Sequence, residues 1–149
     1  MKAVTRTKYG SPEVLEIKSI EKPTPKANEV LVRVYATTVN RTDCGILTGK
    51  PYIIRAFVGL FKPRDIVPGT DFGGQIEAIG KNVTGFKVGD RVFGLHDEGL
   101  RSQAEYMTIR QDKALTLIPD GITFAAAAAS GEGAHYAYNF IDKLPLKKA

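Results

Sequence analysis

The stretch that most constrains the fold runs Val67-Pro68-Gly69-Thr70-Asp71-Phe72-Gly73-Gly74-Gln75-Ile76-Glu77-Ala78-Ile79-Gly80. It continues through Lys81-Asn82-Val83-Thr84-Gly85-Phe86-Lys87-Val88-Gly89-Asp90-Arg91-Val92-Phe93-Gly94. Apolar Ile76, Ala78, Val88 and Val92 alternate with polar Gln75, Glu77, Asp90 and Arg91, a period of two that belongs to strands and not to helices. Glycine falls where the chain must bend sharply or let another backbone come close. The run predicts two strands of a small sheet or barrel, so its glycines speak to shape before chemistry.

A chain of 149 residues, 43% hydrophobic and 25% charged, is large enough for one domain with a real core. Its longest run of small apolar residues, Phe124 to Ala129, is too short to cross a bilayer. The opening Lys2-Ala3-Val4 carries no signal-peptide core. A cytoplasmic protein without a membrane partner is expected. The formal charge of +5, from 21 Lys and Arg against 16 Asp and Glu, is scattered. Its densest groups, Lys62 to Arg64 and Lys147-Lys148, lack the aromatic stacking sets of a nucleic-acid site, so no nucleic-acid partner is expected. The charge reads as a solvated basic surface that helps attract an anionic cofactor or substrate. The single cysteine, Cys44, excludes an internal disulfide and a multi-cysteine zinc site. Its expected role is that of a small buried filler.

Lys2 to Thr7 and Val14 to Lys18 read as a hairpin joined by the turn Tyr9-Gly10-Ser11-Pro12. Lys22 to Lys26 is an extended connector. Glu29 to Ala36 alternates into a long strand with Val30, Val32 and Val34 on one face, central to the core. Next, Asn40 or Thr42 caps a short helical turn ended by Gly49. Tyr52 to Arg64 is an apolar and basic loop. Further strands are expected over Gln103 to Arg110 and Ala114 to Ile118. An Ala-rich segment then starts at Thr123, with Thr123 or Ser130 as caps, and Ala134 to Lys143 reads as a helix.

The Pro-Gly signature and this order of elements resemble the medium-chain dehydrogenase/reductase superfamily, in its zinc-independent, quinone oxidoreductase-like branch. The resemblance covers nearly the whole chain. It implies a mainly β fold with short helices: a GroES-like, partly open β-barrel over residues 1–122, similar to the co-chaperonin. Residues 123–149 are then an Ala-rich segment and helix leading toward a Rossmann-type nucleotide-binding domain. That domain's Gly-rich phosphate loop is absent from these 149 residues, and Pro145 to Ala149 resembles the connector before its first strand.

The same resemblance supplies site residues. Zinc-dependent members carry a His-Glu pair after the Pro-Gly signature, where this chain has Thr70-Asp71. The family's four-cysteine loop would fall near Phe93 to Gln103, where Leu95-His96-Asp97-Glu98-Gly99 has no thiol. No metal is expected, and adjacent His96, Asp97 and Glu98 would not converge on one. Metal-free reductases place an Asn after the long strand, near the nicotinamide, which Asn40 matches; as a bare sequence feature Asn40 reads equally as a cap. Asp43 matches an acidic position of the same segment and Tyr52 the aromatic beyond it, displaced by about one residue, where a phenol can donate a proton. At His135 the family usually carries a Thr nearby that faces the nicotinamide amide; an imidazole can supply the same donor.

The implied function is the N-terminal catalytic half of an NAD(P)H-dependent oxidoreductase of the quinone or activated-alkene reductase type. Tyr52 and Asp43 are its catalytic candidates, Asn40 and His135 its cofactor contacts, and NADP or NAD its cofactor. Its partners would be a small carbonyl, quinone or enone substrate and the nucleotide-binding domain. Alone, the chain is expected to be inactive, to bind the cofactor weakly and to self-associate. The rivals are a non-enzymatic GroES-like barrel that binds a partner protein, and a relative of zinc alcohol dehydrogenases that has lost its metal.

Overall fold

The computed structural model describes residues 1–96 and 101–144. Strand β1 (Lys2–Thr5) pairs antiparallel with β2 (Glu16–Ser19), the expected hairpin. Its connection is longer than a tight turn, because Pro12–Val14 winds into a 3-10 turn before β2 begins. The long strand is β3 (Glu29–Thr37), followed by β4 (Asp71–Ile79), β5 (Arg91–Leu95), β6 (Tyr106–Arg110) and β7 (Leu115–Leu117). These five form an antiparallel sheet ordered β6-β3-β4-β5-β7. A bridge between Ala3 and Ala104 hangs the hairpin on the β6 side. The edges β2 and β7 do not pair with each other, which leaves the barrel partly open.

The alternation of β3 does what its sequence predicts. Val30 and Val32 are fully buried, and Val34 packs against the same core. Phe72 and Ile76 of β4, Val92 of β5, and Met107 and Ile109 of β6 complete it. Each such side chain contributes roughly 1.5–3 kcal/mol by leaving water. Register shifts between β3 and β4 at Leu31/Val32 and Val34/Ala36 are bulges, which bend a strand and let a small sheet curve around its core.

Several expectations change. Val88 is not part of a strand: it stands in a turn, 58% exposed. The Asp90 side chain closes that turn on the Lys87 N–H, so β5 starts only at Arg91. Strand β6 starts at Tyr106 because Ser102 and Gln103 direct their N–H groups to the Gly69 and Pro68 carbonyls. The Ala-rich segment and the C-terminal helix are one helix, α3 (Phe124–Ile141), N-capped by Thr123, whose hydroxyl accepts the Ala126 N–H at 3.1 Å. Ser130 is inside it, its hydroxyl bonded back to the Ala127 carbonyl, and alanine's high helix propensity carries the winding through Gly131 and Gly133. Finally, Cys44 is exposed, because it lies on the outward side of helix α1 (Arg41–Thr48).

The loop after α1 holds a 3-10 turn at Tyr52–Ile54 and a single helical turn, α2 (Arg55–Val58). Helix α3 lies across β3, β4 and β5, its first ring, Phe124, stacked on Tyr35 at 4.8 Å. Its later side chains, among them Tyr136, Phe140 and Ile141, are exposed. Among the described residues no helix is long and apolar enough to cross a membrane. Pro145 to Ala149, Asp97 and Glu98 lie outside the described residues.

Candidate active site

Strand β3 delivers the chain to Asn40 at the barrel rim, and α1 starts there because Asn40 caps it. Its Oδ1 accepts the Asp43 N–H at 2.8 Å, while Asp43 Oδ2 accepts the Asn40 N–H at 3.1 Å, a reciprocal capping box. Gly49, at φ 63°, ends the helix in the left-handed conformation. The same Asn40 reaches across to β4. Its Nδ2 donates to Thr70 Oγ1 at 2.8 Å and to Asp71 Oδ2 at 3.1 Å.

Thr70 and Asp71 are almost wholly buried. Asp71 Oδ2 also accepts from the Thr38 hydroxyl at 2.9 Å, and its Oδ1 accepts the backbone N–H of Glu132 at 3.1 Å. Glu132 is buried on α3; its Oε1 accepts from Thr42, and its Oε2 has no partner among the described residues. Three carboxyl groups from three elements, Asp43, Asp71 and Glu132, therefore share one buried region bridged by neutral donors. Burial, reinforced by the nearby Asp71 and Glu132 charges, pushes the Asp43 carboxyl above the usual aspartate range against its hydrogen bonds to Asn40 and Thr70. The Arg6 guanidinium, buried and donating to the Ile46 carbonyl at 2.5 Å, lies close enough to Asp43 to feel its charge.

Two clefts flank this cluster, and Thr42 lines both. The smaller, about 160 Å³, is walled by Thr42, Leu95, Glu132, His135 and Tyr136. The larger, about 720 Å³, is mostly apolar and includes Ile46, Pro51, Ile54 and Val58, with Arg41 and Cys44 also lining it.

Of the candidates from sequence, Asn40 and Asp43 are joined directly, and His135 sits one helical turn from Glu132 on the smaller cleft. His135 is exposed, its ring and carbonyl within hydrogen-bond reach of the Asn139 amide. Tyr52 stands apart, 68% exposed, its ring under the Arg55 guanidinium at 4.9 Å. Among the described residues no hydrogen bond links it to Asn40, Asp43 or His135. Sequence reasoning does not single out Thr42, Asp71 or Glu132 as site residues. A signal for Glu132 is present all the same: it is the only Asp, Glu, Lys or Arg between Gly121 and Ile141.

An antiparallel, partly open barrel with a capped helix after its long strand, and a helix laid across its sheet, defines the catalytic-barrel class of medium-chain dehydrogenases and reductases. The family model described as alcohol dehydrogenase GroES-like domain matches residues 26–138, and the chain belongs to that family. It is 34% identical over 151 aligned residues to 2-methylene-furan-3-one reductase of Solanum lycopersicum, a match that covers 96% of this chain and 37% of that protein. It is 35% identical over 136 residues to the quinone oxidoreductase of Sus scrofa, covering 88% of this chain and 37% of the relative. Among solved structures, the Escherichia coli quinone oxidoreductase complexed with NADPH superimposes with a TM-score of 0.81 at 28% identity, over 96% of this chain and 41% of that one. The chain thus spans well under half the length of these relatives.

Proposed function

We propose that these residues are the catalytic barrel of a zinc-independent NAD(P)H-dependent reductase acting on a quinone, an enone or a related activated carbonyl compound. Residues 1–122 form the barrel, and 123–149 lead toward a nucleotide-binding domain. The observation that carries this reading is Thr42, shared by a small cleft that Glu132 and His135 also line and by a larger, mostly apolar cleft. Such an arrangement suits a nicotinamide on one side and an apolar acceptor on the other, with the cofactor supplying hydride when bound.

The roles of the chain's own residues follow from their positions. Asn40 uses Oδ1 and Nδ2 within the protein, so it offers a nicotinamide a fixed amide face rather than a new hydrogen bond. His135 presents an exposed donor at the small cleft. Asp43 is too buried to touch substrate and acts as a positioning residue through Asn40 and Thr70. Tyr52 lines neither cleft; it is kept as the candidate proton donor to the reduced oxygen because it follows Pro51 of the larger one and its phenol makes no hydrogen bond among the described residues.

The donor set argues against zinc. Both Asp71 oxygens are already held by protein donors, Thr70 replaces a ligand histidine, and no group of three or more His, Cys, Asp and Glu among the described residues could hold a metal ion. Elemental analysis returning about one zinc per chain after metal-free purification would contradict this. A cytoplasmic setting belongs to the same proposal.

The chain alone lacks a phosphate-binding loop, so we expect no reductase activity and weak NADPH affinity from it. Calorimetry showing micromolar binding would overturn that part. The function is tested by joining the chain to the nucleotide-binding domain of a quinone oxidoreductase and following NADPH oxidation. Turnover with a quinone or enone is the predicted result. A folded, NADPH-binding chimera inactive toward both would count against the reading and leave the non-enzymatic barrel in its place.

A further inference from the structure

The segment Lys50-Pro51-Tyr52-Ile53-Ile54-Arg55-Ala56-Phe57-Val58-Gly59-Leu60-Phe61-Lys62-Pro63-Arg64 carries four cations and no acid. It also exposes Ile53, Phe57, Leu60 and Phe61, the last at 90% of its surface. Large apolar side chains seldom stand so far out of a folded protein unless something else covers them.

The segment is held out by its own bonding. The Tyr9 hydroxyl donates to the Gly59 carbonyl, and the Arg64 N–H closes back on the Val58 carbonyl at 2.8 Å, so Leu60 and Phe61 project at the tip of a closed loop. Arg55 is part of the scaffold: it donates to the Gly49 carbonyl and lies over the rings of Tyr9 and Tyr52. Lys50, Lys62 and Arg64 are exposed, and none has an ion pair among the described residues.

We propose that Lys50 to Arg64 is a docking element for an anionic phospholipid surface. An apolar tip enters the boundary between headgroups and acyl chains, while cations at its base meet anionic headgroups. The shape is a knob rather than a groove, and the one acid beside it, Asp65, is paired with Arg101, so a continuous negative surface complements its cations. Phe and Leu beside Lys and Arg are residue types that settle at such an interface. No membrane span is required, because the segment lies on the bilayer. The segment shares Lys50, Pro51, Ile54 and Val58 with the wall of the larger cleft, but the inference itself invokes neither cofactor nor turnover.

The chain contains no tryptophan, so Phe61→Trp places a single reporter at the tip. With vesicles of phosphatidylcholine containing about a third phosphatidylserine, its emission should shift to the blue and the chain should sediment with the lipid. Pure phosphatidylcholine should give at least tenfold weaker binding, and high salt should release the protein. The double variant Phe57→Ser, Phe61→Ser should lose at least tenfold in binding, whereas Ile17→Ser, at a residue 78% exposed on β2, should not. Three results would overturn the proposal: no sedimentation with anionic vesicles, equal binding to both vesicle types, or an equal loss from Ile17→Ser. A blue shift that appears with protein concentration in the absence of lipid would overturn it too, assigning the knob to a second copy of the chain.

Discussion

Asp71 Oδ1 accepts the backbone N–H of Glu132 at 3.1 Å, which ties β4 to the middle of α3 across 61 positions of sequence. The contact exists because Gly131 lets the helix come close: a Cβ there would fall 2.5 Å from the same oxygen. The Asp71 side chain is used here as a fastener, and the same group orders Thr38 and Asn40 at the rim.

Asp71→Ala should therefore be among the most damaging polar substitutions. It leaves the Glu132 N–H, the Thr38 hydroxyl and the Asn40 amide short of an acceptor in a buried region, at a cost of about 3 kcal/mol or more. Asp71→Asn keeps one acceptor oxygen and should cost less. Urea unfolding of both variants checks this, and a change under about 0.5 kcal/mol for the alanine variant would show that the carboxylate is dispensable.

Gly73 is a second close approach. A Cβ on it would stand 2.5 Å from the Phe124 carbonyl oxygen, so Gly73→Ala must push the start of α3 off β4. A cost of about 1–3 kcal/mol is expected, together with loss of the Tyr35–Phe124 stacking. Near-ultraviolet circular dichroism of the folded variant should lose intensity; an unchanged spectrum and midpoint would refute the prediction.

The raised Asp43 carboxyl gives a pH signature. Burial favours its protonated form in the fold, so its contribution to stability is complete below the ordinary aspartate value and is lost as pH rises through the folded value. Asp43→Asn cannot ionise and keeps an oxygen to accept the Asn40 N–H. Unfolding free energies of the native chain and of this variant, measured side by side from about pH 4 to 7, give the informative quantity. The variant's stability minus the native chain's should move in the variant's favour as pH rises. A difference that is flat, or that moves the other way, would exclude a raised carboxyl.

The strands are legible in sequence because a period of two over Glu29 to Ala36 and Gln75 to Ala78 can satisfy a core only as a sheet. Asn40 as a cap and Gly49 as a stop are legible because capping is local chemistry. Val88 misleads, since one apolar residue in a Gly-Asp turn satisfies the same alternation. Cys44 misleads because composition says how often a cysteine is buried, not which side of α1 it occupies. The carboxyl cluster is not legible as a site: Asp43, Asp71 and Glu132 are far apart in sequence and converge only through the packing of α1, β4 and α3.

The exposed later half of α3 predicts association. Tyr136, Tyr138, Phe140 and Ile141 offer an apolar surface that any covering contact would stabilise, at roughly 25 cal/mol per Å² removed from water. Sedimentation velocity of the 149-residue chain should show mass rising with concentration, or amide exchange should show weak protection from residue 130 onward. A concentration-independent monomer with a fully protected helix would contradict both.

The central claim, that the rim from Asn40 to Asp43 and the face of Glu132 to Tyr136 meet the reactive end of a nicotinamide, is tested most directly by amide-detected NMR. The labelled chain is titrated with an NADPH-loaded nucleotide-binding domain from a quinone oxidoreductase, and again with the same domain free of cofactor. The account predicts shifts specific to the loaded domain at Arg41 to Cys44 and at Glu132 to Tyr136. Shifts identical with and without NADPH, or confined to the β1–β2 hairpin, would contradict it.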